Sequence, residues 1–264
     1  VDATTPPLLG PADPEPFGIE NGDGPSPILF VSDHAGRSVP QRLGTLGLPE
    51  DELGRHIGYD IGIYGVTSPL ARMLGATYVF QPYSRLVIDC NRRPGHPQSI
   101  AAVSDGTVVP GNEGLSAAAV EAREAAILRP YHRTIARILD ERRAAGRPTV
   151  LFAMHSCTPA LRTNPAPRPW PIMVMADRDW RVGEALIDVL RTETDLLVGV
   201  NEPYTVSEES DYTVPVHGEA AGIPYVEIEL RQDLIATTEG QRDWAHLLAR
   251  LFPLAVARSG VLAQ

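Results

Sequence analysis

Four short polar clusters hold the residues best suited to chemistry: Asp33-His34, Asp89-Cys90-Asn91-Arg92, His155-Ser156 and the pair Glu227/Glu229. His34 and His155 each follow an apolar run that reads as a buried strand, 28–32 in one case and 149–154 in the other. One such histidine has an ordinary structural explanation; two at matching strand ends point to a shared site. Imidazole nitrogens, a carboxylate and one open position are what a catalytic zinc ion requires. Such an ion acidifies bound water and polarises a carbonyl. Residues 225–230 alternate, so Glu227 and Glu229 share a face opposite Val226, Ile228 and Leu230. That face is either a solvated acidic edge or the source of a general base tuned by partial burial.

Positioning these clusters requires a scaffold, and the hydrophobic pattern supplies one. Strands are expected at 28–32, 77–80, 86–88, 149–154, 172–175, 196–200 and 224–230. Between them, Ile57, Ile61, Tyr64, Ala71 and Leu74 recur at helical spacing, as do Val120, Ile127, Tyr131, Ile135 and Ile138; further helices are expected at 180–193 and about 239–251. Alternating strands and helices imply an α/β fold, with a mixed, mostly parallel sheet covered on both faces. In such sheets ligands sit outside the carboxyl ends of the strands, where the polar clusters fall. Residues 1–26, crowded with Pro and Gly, read as an extended arm, leaving 27–264 as a single domain. Two Gly/Pro-rich stretches, 93–115 and 158–170, read as long loops of the functional kind.

Composition excludes several classes. With 43% hydrophobic and 21% charged residues the chain can bury a core. A formal charge of −10 without a basic stretch argues against nucleic acid or an anionic membrane surface as partner. No apolar run approaches a membrane span, and no signal-like segment opens the chain, so a cytoplasmic location is expected. All 23 basic residues are Arg, which rules out lysine Schiff-base and Walker-type chemistry. Two cysteines, Cys90 and Cys157, make neither a disulfide scaffold nor a four-cysteine metal site.

The motifs 31–36 (Val-Ser-Asp-His-Ala-Gly), 84–92 (Ser-Arg-Leu-Val-Ile-Asp-Cys-Asn-Arg), 154–156 (Met-His-Ser) and 227–231 (Glu-Ile-Glu-Leu-Arg) occur in order. Together they resemble the N-formylglutamate amidohydrolase family, and more distantly the zinc carboxypeptidases and aspartoacylases. The resemblance spans about residues 28–235 and implies a three-layer α/β/α sandwich of the zinc-exopeptidase kind. It implies one zinc-type divalent ion per chain, with His34 and His155 as ligands and Glu229 as general base. Asn91-Arg92 is similar to a pair that clamps a substrate carboxylate, a task that suits a planar guanidinium. Carboxypeptidases take a third ligand three residues after the first His, where this chain has Arg37. Asp60, in Gly58-Tyr59-Asp60-Ile61-Gly62, resembles the family's alternative, though it also suits a helix N-cap; Asp33 is the other carboxylate in reach. Arg85 is expected to polarise the scissile carbonyl or bind a second substrate carboxylate, unless it only pairs with Asp89. Tyr212 and His217, in the loop before the last strand, are expected near substrate.

The implied reaction is hydrolysis of an N-formyl or other N-acyl bond in a small anionic substrate. Two Arg near one site suit a dicarboxylate such as an N-formylated acidic amino acid. Two other readings stand beside it: a non-catalytic small-molecule binder on the same fold, and a thiol hydrolase with Cys157 as nucleophile and His155 as its base.

Overall fold

Residues 7–263 are described by the structure, a computed structural model; residues 1–6 of the expected arm lie outside them. In chain order the first elements are β1 (Gly18–Glu20), β2 (Ile28–Ser32), α1 (Glu50–Leu53), α2 (Ile63–Leu74) and β3 (Thr77–Phe80). A small hairpin, β4 (Val103–Ser104) and β5 (Thr107–Val108), precedes α3 (Ala117–Arg123) and α4 (Arg129–Ala144), which are joined by a π-helical turn. The second half contains β6 (Val150–Cys157), β7 (Ile172–Met175), α5 (Arg181–Glu193), β8 (Val198–Val200), β9 (Tyr225–Arg231) and α6 (Thr238–Ser259).

Seven strands form one sheet in the order β1-β3-β2-β6-β9-β7-β8. The central run is parallel, while β1 pairs antiparallel with β3 and β7 antiparallel with β9. One face packs Phe30, Phe152, Val226 and Ile228 beneath α2, α5 and α6. The other packs Leu29, Val31, Leu151, Ala153 and Tyr225 against Tyr131 and Ile135 of α4. This is the three-layer sandwich with a mixed, mostly parallel sheet that the alternation implied. Among the described residues no helix is long and apolar enough to cross a membrane.

Strand periodicity decides which groups share a face. Residues 29 and 31 of β2, 151 and 153 of β6, and 225 of β9 face α4. The same parity carries His155, Glu227 and Glu229 to that side. Strand β9 lies inside the sheet, with a packed layer on each face, and Glu227 and Glu229 are 2% and 4% exposed. The solvated acidic edge is therefore excluded.

Three other expectations are corrected. The apolar trio Leu86, Val87 and Ile88 is buried but forms turns and no strand. Its carbonyls are satisfied by side chains: Asn112 Nδ2 donates to Leu86 O (2.8 Å) and Arg123 Nη1 to Val87 O (2.9 Å). Buried backbone needs partners, and here they come from outside the sheet. Residues 18–20, inside the expected arm, pair with β3 as an edge strand. Helix α2 begins at Ile63 rather than near Ile57, because Gly62 adopts a left-handed turn (φ 83°) where a Cβ would lie 2.1 Å from Ile235 O.

Candidate active site

Gly62 is also the N-cap of α2, and the helix has no side-chain cap. The Asp60 carboxylate is thus free of the capping role that its position suggested. Its backbone N–H donates to His34 O (2.9 Å), tying the loop before α2 to the end of β2. Its Oδ2 lies 3.0 Å from His155 Nδ1 and 3.5 Å from His34 Nδ1, and accepts from Ser156 N (3.2 Å). All three residues are buried, at 2–3% exposure.

The outer nitrogen of each ring faces a second carboxylate. His34 Nε2 is 2.7 Å from Asp89 Oδ1, and His155 Nε2 is 3.3 Å from Asp33 Oδ2. Ionised carboxylates only accept, and one faces each nitrogen of both rings, so against the cost of burial they hold both imidazoles above their usual pKa. Both Nδ1 atoms and the Asp60 carboxylate converge on one point, where a divalent cation would displace the protons they share. The ligand atoms of His34, Asp60 and His155 lie within 4.8 Å of one another, and His34 Nδ1 has no hydrogen-bond partner. The donor types match a zinc site with room for a further ligand, so these residues fit a divalent cation. Asp89 is held in turn by Arg85 (Nη2 2.6 Å, Nε 3.0 Å), and Asp33 accepts from Thr213 Oγ1 (2.7 Å). Partners of this kind fix ring orientation in metal sites.

Glu229 stands directly opposite His155 in the β6–β9 register. Burial, reinforced by the nearby Asp60 carboxylate, pushes its carboxyl up to about 7. Its Oε1 accepts from Tyr204 OH, while Oε2 is buried without a partner. A buried carboxylate oxygen lacking a donor is costly unless something is meant to meet it. Glu227 lies one step back, opposite Ala153, and burial holds its carboxyl well above the usual range.

Beside this cluster opens a cleft of about 270 Å³. Arg85, Asp89 and Arg92 line one part of it, and Ile57, Leu86, Val103 and Leu161 supply apolar wall. The loops 93–115 and 158–170 both contribute. Arg92 places Nη1 on Asn91 O (3.0 Å) and Asp211 Oδ1 (3.3 Å). Asn91 is engaged within the protein: its Nδ2 donates to Asp211 Oδ1 and its Oδ1 accepts from Tyr212 N and Thr213 N, which latches a loop and leaves one amide N–H without a partner among the described residues. Tyr212 packs edge-on against His132. His217 is likewise set away from the cleft, its Nε2 3.0 Å from His132 Nδ1, on a π-helical turn at residues 215–219. Cys157 sits against Met173 Sδ (3.9 Å), and burial raises its thiol far above the ordinary value. With both His155 nitrogens facing Asp60 and Asp33, the thiol has no base.

Sequence reasoning overlooked Tyr204, whose loop carries no periodicity or motif, and His132, which sits among helix-spaced apolar residues. Asp89 was visible only as an ion-pair partner for Arg85; the 55-residue step to His34 had no local signal.

Comparison with known proteins agrees with this fold. Residues 26–236 match the model of the N-formylglutamate amidohydrolase family. A gene product of Agrobacterium tumefaciens of known crystal structure is 34% identical, with a TM-score of 0.90, over 95% of this chain and 98% of that one. The crystal structure of N-formylglutamate amidohydrolase from Ralstonia eutropha is 21% identical, with a TM-score of 0.67, over 92% and 98% of the two chains, a likeness of fold. No curated protein matches the chain.

Proposed function

Because this chain belongs to the N-formylglutamate amidohydrolase family, whose members cleave a non-peptide C–N amide bond, we propose that it is a metal-dependent enzyme hydrolysing the N-acyl bond of a small amino acid derivative. One observation carries the proposal: Glu229, with Oε2 unpartnered, lies in the strand register of His155, beside the converging ligand atoms of His34, Asp60 and His155. His34, His155 and Asp60 would hold the cation. A divalent ion bound there, zinc by donor type, supplies carbonyl polarisation and a more acidic water.

The protein's own groups do the rest. Glu229 takes a proton from the attacking water at Oε2 and returns it to the leaving amine; a carboxyl poised near 7 suits both transfers. Arg85 keeps Nε and Nη2 on Asp89, which leaves Nη1, 3.7 Å from Asp60 Oδ1, as the donor nearest a developing oxyanion. Arg92 orients the substrate through its carboxylate, which makes positioning part of the rate enhancement. The test is release of free amine from N-formyl and N-acetyl amino acids, set against matched peptides. Hydrolysis of the N-acyl amino acids alone is the expected result. Cleavage of peptides at equal efficiency would overturn the substrate class.

A further inference from the structure

The Glu229 carboxylate makes one hydrogen bond among the described residues, from the Tyr204 hydroxyl to Oε1, while Oε2 is buried without a partner. The terminal torsion of a glutamate is broad and roughly two-fold, so rotamer preference alone does not fix where each oxygen points. Tyr204 comes from the connection between β8 and the π-helical turn at 215–219, and that connection is fastened on both sides of it. Before it, Asn201 accepts from Ala176 N (3.1 Å) and donates to Ala176 O (3.0 Å). After it, Val206 is fully buried in the core, and Asp211 Oδ2 accepts from Ser207 N (3.1 Å) and Ser210 Oγ (2.6 Å). Tyr204 itself is 43% exposed, unlike the fully buried Tyr78, Tyr83 and Tyr131, so its ring adds little to the core. What it does reach is the buried carboxylate.

We infer that Tyr204 is a positioning residue: its hydroxyl holds Oε1 of Glu229 so that Oε2 alone is presented to the attacking water. This role rests on the amidohydrolase reading above and deepens it. A general base must meet its proton at hydrogen-bond distance in the attack geometry. A donor on Oε1 opposes rotation of the carboxylate, because rotation would break a charge-assisted bond. Glu229 stands in register with His155, so a carboxylate held this way stays beside the converging ligand atoms of His34, Asp60 and His155. Without the hydroxyl both oxygens lack a donor, and the carboxylate can turn Oε2 out of line. Misplacement of about 1 Å can cost about 100-fold in rate. Arg92 has no contact with Tyr204; its Nη1 lies on Asn91 O and Asp211 Oδ1. The loss therefore belongs to kcat and leaves KM alone.

Tyr204→Phe removes the hydroxyl alone. With full-length, metal-replete protein and an N-acyl amino acid that wild type hydrolyses, kcat should fall about 10–100-fold, the scale of a hydrogen bond to a charged group, with KM unchanged within about twofold. Metal content and Tm should stay at wild-type values. The same substitution is then made in a Glu229→Gln background, where no base remains for the hydroxyl to hold. There it should change kcat by less than about twofold, the non-additivity expected of residues that act as a unit. An equal fold-loss in both backgrounds shows that the hydroxyl acts on something other than Glu229 and overturns the inference. So does a wild-type kcat, a raised KM at unchanged kcat, or a kcat that falls only in step with bound metal. Each of these leaves the amidohydrolase reading standing. If the metal-replete wild type cleaves no N-acyl amino acid, the underlying reading falls and the role of Tyr204 falls with it.

Discussion

Asp60→Asn separates a metal ligand from a structural acid, because the two roles leave different thermal signatures. The substitution keeps size and one acceptor oxygen but removes the charge facing His34 Nδ1 and His155 Nδ1. A metal at about a thousand times its dissociation constant stabilises the folded protein by roughly 4 kcal/mol. Loss of a neighbouring partner that only orients a ligand weakens metal binding by about 10–100-fold, so loss of a direct donor should cost at least about 100-fold. That is about 2.7 kcal/mol of metal-dependent stability. With an unfolding entropy of about 2.1 cal/mol/K per residue over 264 residues, the metal-induced rise in Tm should shrink by about 5 °C. A purely structural Asp60 behaves otherwise. Weakening the contact to Ser156 N costs at most about 1–3 kcal/mol, and it does so equally with and without metal. The assay is thermal unfolding of wild type and variant across a zinc titration, with metal content measured on the same samples. A variant whose Tm drops in the metal-free form but rises with zinc as far as wild type refutes the ligand assignment.

The remaining residues give shorter tests. Glu229→Gln should retain metal and fold while kcat falls by about 10²–10⁴, the usual contribution of a positioned acid–base group; near-normal kcat moves the base to Glu227. Asp89→Ala removes the acceptor of His34 Nε2 and should weaken metal affinity by about 10–100-fold, read by competition with a chelating dye, with unchanged affinity counting against the outer-carboxylate role. Arg92→Ala should raise KM for the acid substrate, and replacing the substrate carboxylate with an amide should harm wild type heavily and the variant little. Equal discrimination by both enzymes would remove Arg92 from carboxylate binding.

Much of the sheet was legible because β2, β3, β6 and β7 are largely apolar runs bounded by turn residues, the signature of strands covered on both faces, and β9 alternates. The same signal failed at 86–88, where an equally apolar trio packs in the core but satisfies its carbonyls through Asn112 and Arg123. Local sequence cannot tell those outcomes apart. Alternation put Glu227 and Glu229 on one face, but only the tertiary packing over that face of the sheet decides that it is buried. At the site, His34 and His155 stood out as histidines closing apolar runs, and their convergence follows from β2 and β6 being parallel neighbours. Asp60 was ambiguous with a helix cap until Gly62 proved to be the cap. Asn91 looked like substrate machinery by motif, yet its three hydrogen bonds to residues 211–213 are long-range contacts that no spacing rule anticipates. Tyr204 was missed for the same reason: loop residues take their neighbours from tertiary packing.

The most direct test of metal-dependent amide hydrolysis is elemental analysis of the purified protein coupled to a chelator titration of its activity. About one divalent ion per chain is expected, with activity falling in proportion to the ion removed and returning on addition of zinc. Full N-acyl amino acid hydrolysis by protein stripped of all divalent ions would contradict the central claim.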